Sequence, residues 1–371
     1  MNRKKILIIS SSFYPIIAPR SFRTTELVKE FSRQKHNITL LTKKNDKVHE
    51  LFEKEYHITI KDLGDPILPV INLRNGSKLI VILKRVLRRI LLQLFEYPNI
   101  ELMFRIKRAL KKEKNYDMLI SIASPHPIHW GVAWAWRKKN SIAKIWIADC
   151  GDPYMGTTTD SFKKLFYFKF IEKWWCKKVN FITVPFHGAI KAYYKEFQNK
   201  IRVIPQGFDF DEINIRENEY IKNKIPTFAY TGLFIPRARD PSLFINYLLS
   251  LEIDFKFILY NNQKSRYNNL VIKSKGKIEF RDYIERKKLI KVLSKMDFLV
   301  NFNNGVSTQL PSKLIDYHLT KRPILSLDSF DLDKNTINQF LNGKYHNKFN
   351  FEDIEQYKIE NVCQKFLKLH N

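Results

Sequence analysis

Gln309-Leu310-Pro311-Ser312-Lys313-Leu314-Ile315-Asp316-Tyr317-His318-Leu319-Thr320-Lys321-Arg322-Pro323-Ile324-Leu325 compresses the logic of the whole chain into seventeen residues. A turn carrying Pro311 feeds a short helix whose first turn holds Ser312 and Lys313. Asp316 follows one turn on, and Pro323 stops the helix before an apolar strand. Free N–H groups at a helix start attract a phosphate, and Lys313 adds a cation there. A carboxylate one turn later is placed to accept hydrogen bonds from ribose hydroxyls.

The same helix-then-strand pattern repeats outward. Apolar runs at Ile6–Ser10, Ile38–Thr42, Met118–Ser121, Ile145–Ala148, Phe181–Val184 and Ile201–Ile204 alternate with helical stretches, among them Ser21–Gln34, Phe162–Lys178 and His187–Phe197. The polar stretch Asp209–Lys224 reads as a connection. A second series follows, with strands at Thr227–Tyr230, Phe255–Tyr260, Lys277–Phe280, Phe298–Asn301 and Ile324–Ser326, and the tail Phe351–His370 reads as helical. Such alternation predicts an α/β fold of two parallel sheets with helices on both faces. The expected divisions are an N-terminal domain over 1–207, a linker over 208–225 and a C-terminal domain over 226–350. Ligands of such sheets bind beyond the carboxyl ends of the strands, so a cleft between the two blocks is the expected active site.

Composition excludes several classes. The 371 residues are 44% hydrophobic and 14% aromatic, which is incompatible with a disordered basic tail. The three cysteines, Cys150, Cys176 and Cys363, are odd in number and widely spaced, so neither a disulfide scaffold nor a cysteine zinc site is expected. The apolar run near the start is too short for a secretory leader and reads as the first strand. G-x-G-x-x-G, G-x-x-x-x-G-K-[ST], H-E-x-x-H and G-x-S-x-G are all missing.

The net charge of +28 is uneven. Residues 1–200 hold 38 Lys+Arg and 17 Asp+Glu, a net +21, and the remaining 27 and 20 give +7. Lysine-rich composition explains a general surplus but not this asymmetry, which points to an anionic partner for the first half. On a helical projection of Leu79–Phe95, Lys84, Arg85, Arg88 and Arg89 fall on one arc. Ile80, Leu83, Leu87, Ile90, Leu91 and Leu94 fall on the other. The pattern suits a helix lying in a membrane interface, and equally a surface helix packed on its own domain. Phe162–Lys178 mixes seven aromatics with six lysines; its Trp174 and Trp175 fit either a headgroup zone or a core. No zinc-finger, RRM or KH signature supports nucleic acid as the partner.

With these residues in view, the chain resembles the GT-B glycosyltransferases of retaining family 4, of the bacterial surface-polysaccharide type. Asp316 matches the carboxylate that stands five residues after Pro311 and holds the donor ribose; a family carboxylate eight residues earlier is replaced by Thr308. Arg202-Val-Ile-Pro-Gln206-Gly207-Phe-Asp209 is similar to the family's V-I-P-N-G-V/F-D. Phe228-Ala-Tyr-Thr-Gly232-Leu-Phe-Ile-Pro-Arg237-Ala-Arg239-Asp-Pro241 resembles its strand–glycine–basic segment. The resemblance implies donor binding by Gln206, Gly207, Gly232, Arg237, Arg239, Ser312, Lys313 and Asp316, with Arg239 and Lys313 neutralising the diphosphate.

In the first domain, Ser124-Pro125 through His129, then Trp146-Ile-Ala-Asp149-Cys150-Gly151-Asp152-Pro153-Tyr154, resemble one branch's S-x-P and W-I-x-D-F-R-D-P-W. Cys150 and Gly151 replace Phe and Arg, and Tyr154 replaces Trp. Asp152, His126 and His129 are the implied catalytic candidates, and Arg20 and Arg23 the first-loop candidates. The fold implied is GT-B, two Rossmann-like domains facing a cleft, with 351–371 a helix crossing back to the first domain. The activity implied is hexosyl or related transfer from a nucleotide-diphosphate sugar, UDP being expected, to a lipid-linked or surface-polysaccharide acceptor. No cofactor or metal is implied. The partners expected are the nucleotide sugar, the acceptor glycan and an anionic membrane surface, with no nucleic acid. The site expected is cytoplasmic, on the inner face of the membrane. Two alternatives stay open: a GT-B-fold sugar-nucleotide epimerase, and a non-enzymatic basic protein that binds polyanions or membranes.

Overall fold

The computed structural model describes residues 3–73, 77–137, 142–157, 162–212, 215, 220–235, 239–303 and 312–370. The chain forms two compact units, 1–209 with 356–371, and 210–355.

The first unit runs β1 (Lys5–Ser10), α1 (Pro19–Arg33), β2 (Asn37–Thr42), α2 (Asp46–Tyr56), β3 (Thr59–Asp62), α3 (Lys78–Phe95), α4 (Glu101–Leu110), β4 (Tyr116–Ala123), α5 (Pro127–Ala135), β5 (Ala143–Cys150), α6 (Phe168–Lys178), β6 (Phe181–Val184) and β7 (Ile201–Val203). The second runs β8 (Thr227–Thr231), α7 (Ser242–Ser250), β9 (Lys256–Tyr260), α8 (Asn268–Lys273), β10 (Ile278–Arg281), α9 (Arg286–Leu293), β11 (Phe298–Phe302), α10 (Ser312–Leu319), β12 (Ile324–Leu327) and α11 (Lys334–Leu341). The last helix, α12 (Ile359–Lys368), belongs to the first unit.

Both sheets are parallel. The first has the order β3-β2-β1-β4-β5-β6-β7 and the second β10-β9-β8-β11-β12. Strands covered on both faces must be apolar throughout, which is why Ile6, Leu7, Ile8 and Ile9 are all fully buried. In register, Ile8 lies beside Leu40 on one side and Ile120 on the other. The strand order reverses between β1 and β4 in the first sheet and between β8 and β11 in the second. The loops leaving those strands therefore diverge to opposite faces and open a crevice for ligand.

α12 completes the first core. Its Ile359, Val362, Cys363 and Phe366 join Leu27, Val28 and Phe31 of α1. Gly207 makes this packing possible, because a Cβ there would lie 2.4 Å from Ile359 Cδ1.

Several elements differ from the sequence expectation. Residues 162–167 precede α6 instead of belonging to it; there Lys163 O accepts from Gln93 of α3 and Tyr167 Oη donates to Leu94 O. The 187–197 stretch forms two 3₁₀ turns, His187–Ala192 and Lys195–Lys200, because Tyr193 turns extended to bury its ring. The tail is α-helical only from Ile359. Helices α2, α8 and α11 are additional to the expected elements; α11 buries Ile337, Phe340 and Leu341 and is capped by Asp333 Oδ1, which accepts from Thr336 N at 3.0 Å.

Candidate functional site

In the second unit the crevice beside β8 is built from three segments. β8 ends at Thr231 and Gly232; Gly232 takes φ 108°, a left-handed conformation that costs a side-chain-bearing residue. The following loop is pinned by Gln263, which accepts from Phe234 N at 2.7 Å and donates to Phe234 O at 3.1 Å. Ile235 and Arg239 pair their backbones, Arg239 N donating to Ile235 O at 2.7 Å, and this folds Arg239 back toward the strand. α10 supplies the third segment. Tyr317 Oη accepts from Thr231 N at 2.8 Å, fastening α10 to the end of β8.

This arrangement sets Lys313 Nζ 4.2 Å over the ring of Tyr230. The Tyr230 hydroxyl donates to Leu233 O at 3.1 Å and lies beside Arg239. Neither Lys313 Nζ nor Arg239 Nε has a hydrogen-bond partner among the described residues. Burial, and then the charge of Arg239, pulls the Lys313 ammonium well below the ordinary lysine value. Buried Lys313 over the ring and half-buried Arg239 at the hydroxyl therefore meet at Tyr230, with no carboxylate bonded to either among the described residues. Such charges are costly unless compensated, and an anionic ligand compensates both at once.

Asp316, three residues along α10, is placed differently. Its Oδ1 accepts from Arg286 Nε at 2.8 Å and lies 2.7 Å from Arg286 Nη2. Arg286 in turn reaches Glu212 at 3.3 Å, and Lys287 meets the same carboxylate at 2.9 Å. Burial raises the Asp316 carboxyl, and Arg286 offsets part of that rise. The guanidinium thus fixes one oxygen and leaves the other to accept. Arg237 and the side chain of Ser312 lie outside the described residues, as do Thr308, Gln309 and Pro311.

In the first unit, Asp149 at the end of β5 is buried and fully engaged. It accepts from Arg23 Nε at 3.1 Å, Arg23 Nη2 at 2.8 Å and Thr183 Oγ1 at 2.7 Å, with Arg20 at 3.5 Å. Burial alone would raise this carboxyl, but the two arginines hold it below the usual range. Arg20 and Arg23 stand on α1 and not in the loop before it, because Pro19 starts the helix. Arg23 is spent internally: it also donates to Ile204 O and Pro205 O. A Cβ on Gly151 would lie 2.7 Å from Arg20 Cζ, so Arg20 occupies the space that a side chain at position 151 would fill.

Beside this ion pair, His129 is wholly buried, with Nδ1 2.8 Å from Ser121 Oγ and Nε2 3.4 Å from Cys150 Sγ. His126 Nε2 donates to Asp152 O at 3.2 Å, which leaves Nδ1 as a lone pair with no partner among the described residues. Burial brings His126 down to about 4 and His129 well below its ordinary value, so both are neutral at pH 7. Ligand atoms of His126, His129 and Cys150 lie within 4.8 Å of one another, the one grouping among the described residues that could hold a metal ion. Burial pushes the Cys150 thiol up, and the His129–Cys150 contact already satisfies both groups without an ion. The Asp152 carboxylate, in contrast, is exposed at the strand end.

The sequence of the first unit matches one known family. The family model "Glycosyltransferase Family 4" covers residues 22–212. The chain belongs to glycosyltransferase family 4. No curated protein matches the sequence. Among solved structures, a glycosyltransferase from Rickettsia africae ESF-5 superposes with TM-score 0.64 at 12% identity, over 100% of this chain and 98% of that one. A mutant of S. aureus TarM, in complex with Fondaparinux, alpha-GlcNAc-glycerol and UDP, gives 0.57 at 11% identity, over 99% of this chain and 100% of that one. The lipopolysaccharide outer core galactosyltransferase WaaB, in apo form, gives 0.57 at 12%, over 98% of each. The two parallel sheets are those of the GT-B fold, and the chain is a family 4 glycosyltransferase.

Within this family 4 enzyme the sequence-derived candidates separate into groups. Gly232, Arg239, Lys313 and Asp316 come together in the second unit. Gln206 and Gly207 belong to the first unit, where Gln206 Nε2 donates to Gly207 O at 3.2 Å and Gly207 seats α12. Arg20 and Arg23 bind Asp149, and His129 stands beside His126, which meets the Asp152 backbone. Sequence reasoning did not single out Tyr230, Tyr317 or Arg286. Arg286 opens a run of three basic residues that reads as a solvated helix start, and only the fold brings it to Asp316, 30 residues away.

Proposed function

We propose that this glycosyltransferase moves a sugar from a nucleotide-diphosphate donor, UDP-linked, to a lipid-linked or surface-polysaccharide acceptor, with retention of configuration and without a metal. The observation that carries the donor assignment is that Lys313 Nζ, over the Tyr230 ring, and Arg239 Nε, whose guanidinium also meets the Tyr230 hydroxyl, have no hydrogen-bond partner among the described residues. A diphosphate bridges them, the α10 N–H groups add their dipoles, and Asp316 accepts from the ribose hydroxyls.

As the bond from the sugar carbon to the β-phosphate oxygen breaks, negative charge grows on the leaving diphosphate. Lys313 and Arg239 stabilise it most at that moment, which lowers the barrier. The acceptor oxygen attacks the same face, and its proton passes to the departing phosphate oxygen, so no separate base is needed. The positive charge on the diphosphate comes from these side chains, and no metal is assigned to the step. The exposed Asp152 is the acceptor-side candidate for orienting the incoming hydroxyl.

The nucleotide and acceptor classes rest on likeness: TarM was crystallised with UDP, and WaaB is named for lipopolysaccharide. The net +21 on residues 1–200 suits an anionic membrane surface at the inner face, where such acceptors are built. No helix among the described residues is long and apolar enough to cross a membrane.

A thermal-shift panel of UDP, GDP and CMP tests the donor site; stabilisation by UDP is expected, and none by any nucleotide would sink the assignment. UDP released from a UDP-sugar only after a lipid-linked or polysaccharide acceptor is added identifies transfer. Conversion of the UDP-sugar to its epimer without acceptor would identify an epimerase instead. Transfer left intact by both Asp316→Ala and Lys313→Ala would remove this site.

A further inference from the structure

α3 is an 18-residue helix with not one buried residue. At 100° per residue, Leu79, Leu83, Val86, Leu87, Ile90 and Leu94 lie within one arc of about 100°. All six are exposed, Leu79 at 73% and Leu83 at 67%. The basic residues Lys84, Arg85, Arg88 and Arg89 occupy the opposite arc, where Lys84 and Arg89 are half-buried against the protein and Arg85 and Arg88 are exposed. The Arg89 guanidinium lies 4.7 Å over the Phe162 ring, Gln93 donates to Lys163 O, and Tyr167 donates to Leu94 O. Just past the helix, buried Glu96 is clamped by Tyr154 at 2.9 Å and by Lys164. The helix is therefore held through its other side, where Val81, Lys84, Arg89, Leu92 and Gln93 are half-buried, and turns its wide apolar arc outward, the reverse of a helix that helps build a soluble core.

The segment beside it continues the surface. Phe162 and Phe166 are exposed, Phe166 at 77%, while Trp175 is fully buried and Trp174 packs against the core. The tryptophans of this stretch and Phe168 belong to the core, and Phe162, Phe166 and Phe170 face outward. A contiguous apolar strip along a helix of about 27 Å is more than a monomeric surface ordinarily leaves uncovered.

We infer that α3, with Phe162 and Phe166, inserts its apolar face into the acyl boundary of an anionic bilayer. Charge chooses the bilayer over a protein groove. Lys78–Phe95 contains five basic residues and no acid, and the flanking segment adds Lys163 and Lys164. Long basic side chains on the shoulders of an immersed helix reach headgroups while their stems stay in the apolar layer. The insertion rests on the membrane-surface part of the proposed function and is independent of sugar transfer. It adds that attachment is hydrophobic as well as electrostatic, so high salt alone does not undo it.

The test is co-sedimentation of the full chain with phosphatidylglycerol/phosphatidylcholine vesicles at low salt and in about 0.5 M NaCl, with the UDP thermal shift read on the same samples. The wild type is expected to bind at low salt and to keep a large share of its binding in high salt. Leu83→Glu/Leu87→Glu is expected to weaken partitioning by about a hundredfold or more, because each leucine contributes roughly tenfold or more to transfer. Arg85→Gln/Arg88→Gln is expected to lose about fivefold per residue, confined to low salt. These side chains are exposed, so all variants are expected to keep the wild-type unfolding temperature.

Complete release of the wild type by high salt would overturn insertion. So would vesicle binding unchanged in Leu83→Glu/Leu87→Glu. The same double variant turning a dimer into a monomer, with vesicle binding unaffected, would reassign the face to a second copy of the chain. A missing UDP shift with vesicle binding intact would count against the donor site alone.

Discussion

Replacing Lys313 by methionine separates two consequences of burying an unpaired cation. Methionine keeps the length of the chain and makes a favourable sulfur contact with the Tyr230 ring on which Lys313 now rests. What disappears is the ammonium. A charge-assisted hydrogen bond contributes about 1.5–3 kcal/mol, and a loss of about 2 kcal/mol weakens UDP roughly thirtyfold. At a UDP concentration near one hundred times the wild-type Kd, ligand stabilises the wild type by about 2.7 kcal/mol; at the same concentration the variant gains only about 0.9 kcal/mol. At roughly 2–4 °C per kcal/mol, the UDP-induced rise in Tm falls from about 5–11 °C to about 2–4 °C.

Without nucleotide the order reverses. Folding lowers the Lys313 pKa through burial and Arg239, so at neutral pH the unfolded chain binds more protons at this residue than the folded one. Wild-type stability therefore rises with pH until the unfolded lysine itself titrates near about 10.4. The variant lacks this term, so it is the more stable protein at pH 7, and the difference narrows toward pH 10. Calorimetry across that range, with and without UDP, reads both effects. An unchanged UDP shift would refute the donor reading of Lys313. A ligand-free variant less stable than wild type by about 1 kcal/mol or more at pH 7 would show instead that the ammonium is satisfied within the protein.

Arg23→Met leaves Asp149 buried and short of its main partner, so urea unfolding is expected to show a loss of about 3–5 kcal/mol. Arg20→Gln, which loses only a 3.5 Å contact from a partly exposed residue, is expected to cost less than about 1 kcal/mol; equal losses would contradict the ordering. Glu172 is wholly buried, and burial lifts its carboxyl to about 7. Between about pH 4.5 and 7 the folded protein holds the proton that the unfolded chain releases, so stability falls as pH rises, by about 3 kcal/mol in all. Glu172→Gln is expected to remove that decline, and an unaltered pH profile would show that Glu172 is ionised when folded. Gly207→Ala forces a Cβ against Ile359 and is expected to cost about 1–3 kcal/mol while leaving the UDP shift intact. A lost UDP shift at wild-type stability would return Gly207 to the donor site.

Much of this was legible in the chain because strand and helix periodicities are local. The runs at Ile6–Ser10 and Phe298–Asn301 read as buried parallel strands from their composition alone, and both sheets contain them. The Pro311–Asp316 segment showed a helix start bearing a cation and, one turn on, a carboxylate. The amphipathic arcs of α3 were visible in the same way. α11 buries Ile337, Phe340 and Leu341 on one face, but its eight residues give that periodicity too few repeats to stand out.

The sequence by itself thus determined the fold class, the family resemblance and the cations proposed to face a diphosphate. Tertiary structure alone decided what each charge meets. Lys313 lies over Tyr230 with no bonded acid among the described residues, while Arg23 is consumed by Asp149, 126 residues away. It also decided that α3 turns its apolar arc outward. An amphipathic pattern fixes that a helix has two faces, but which face looks to water depends on what packs against it. Those contacts come from Phe162, Lys163 and Tyr167, 70 to 73 residues along the chain from Gln93 and Leu94.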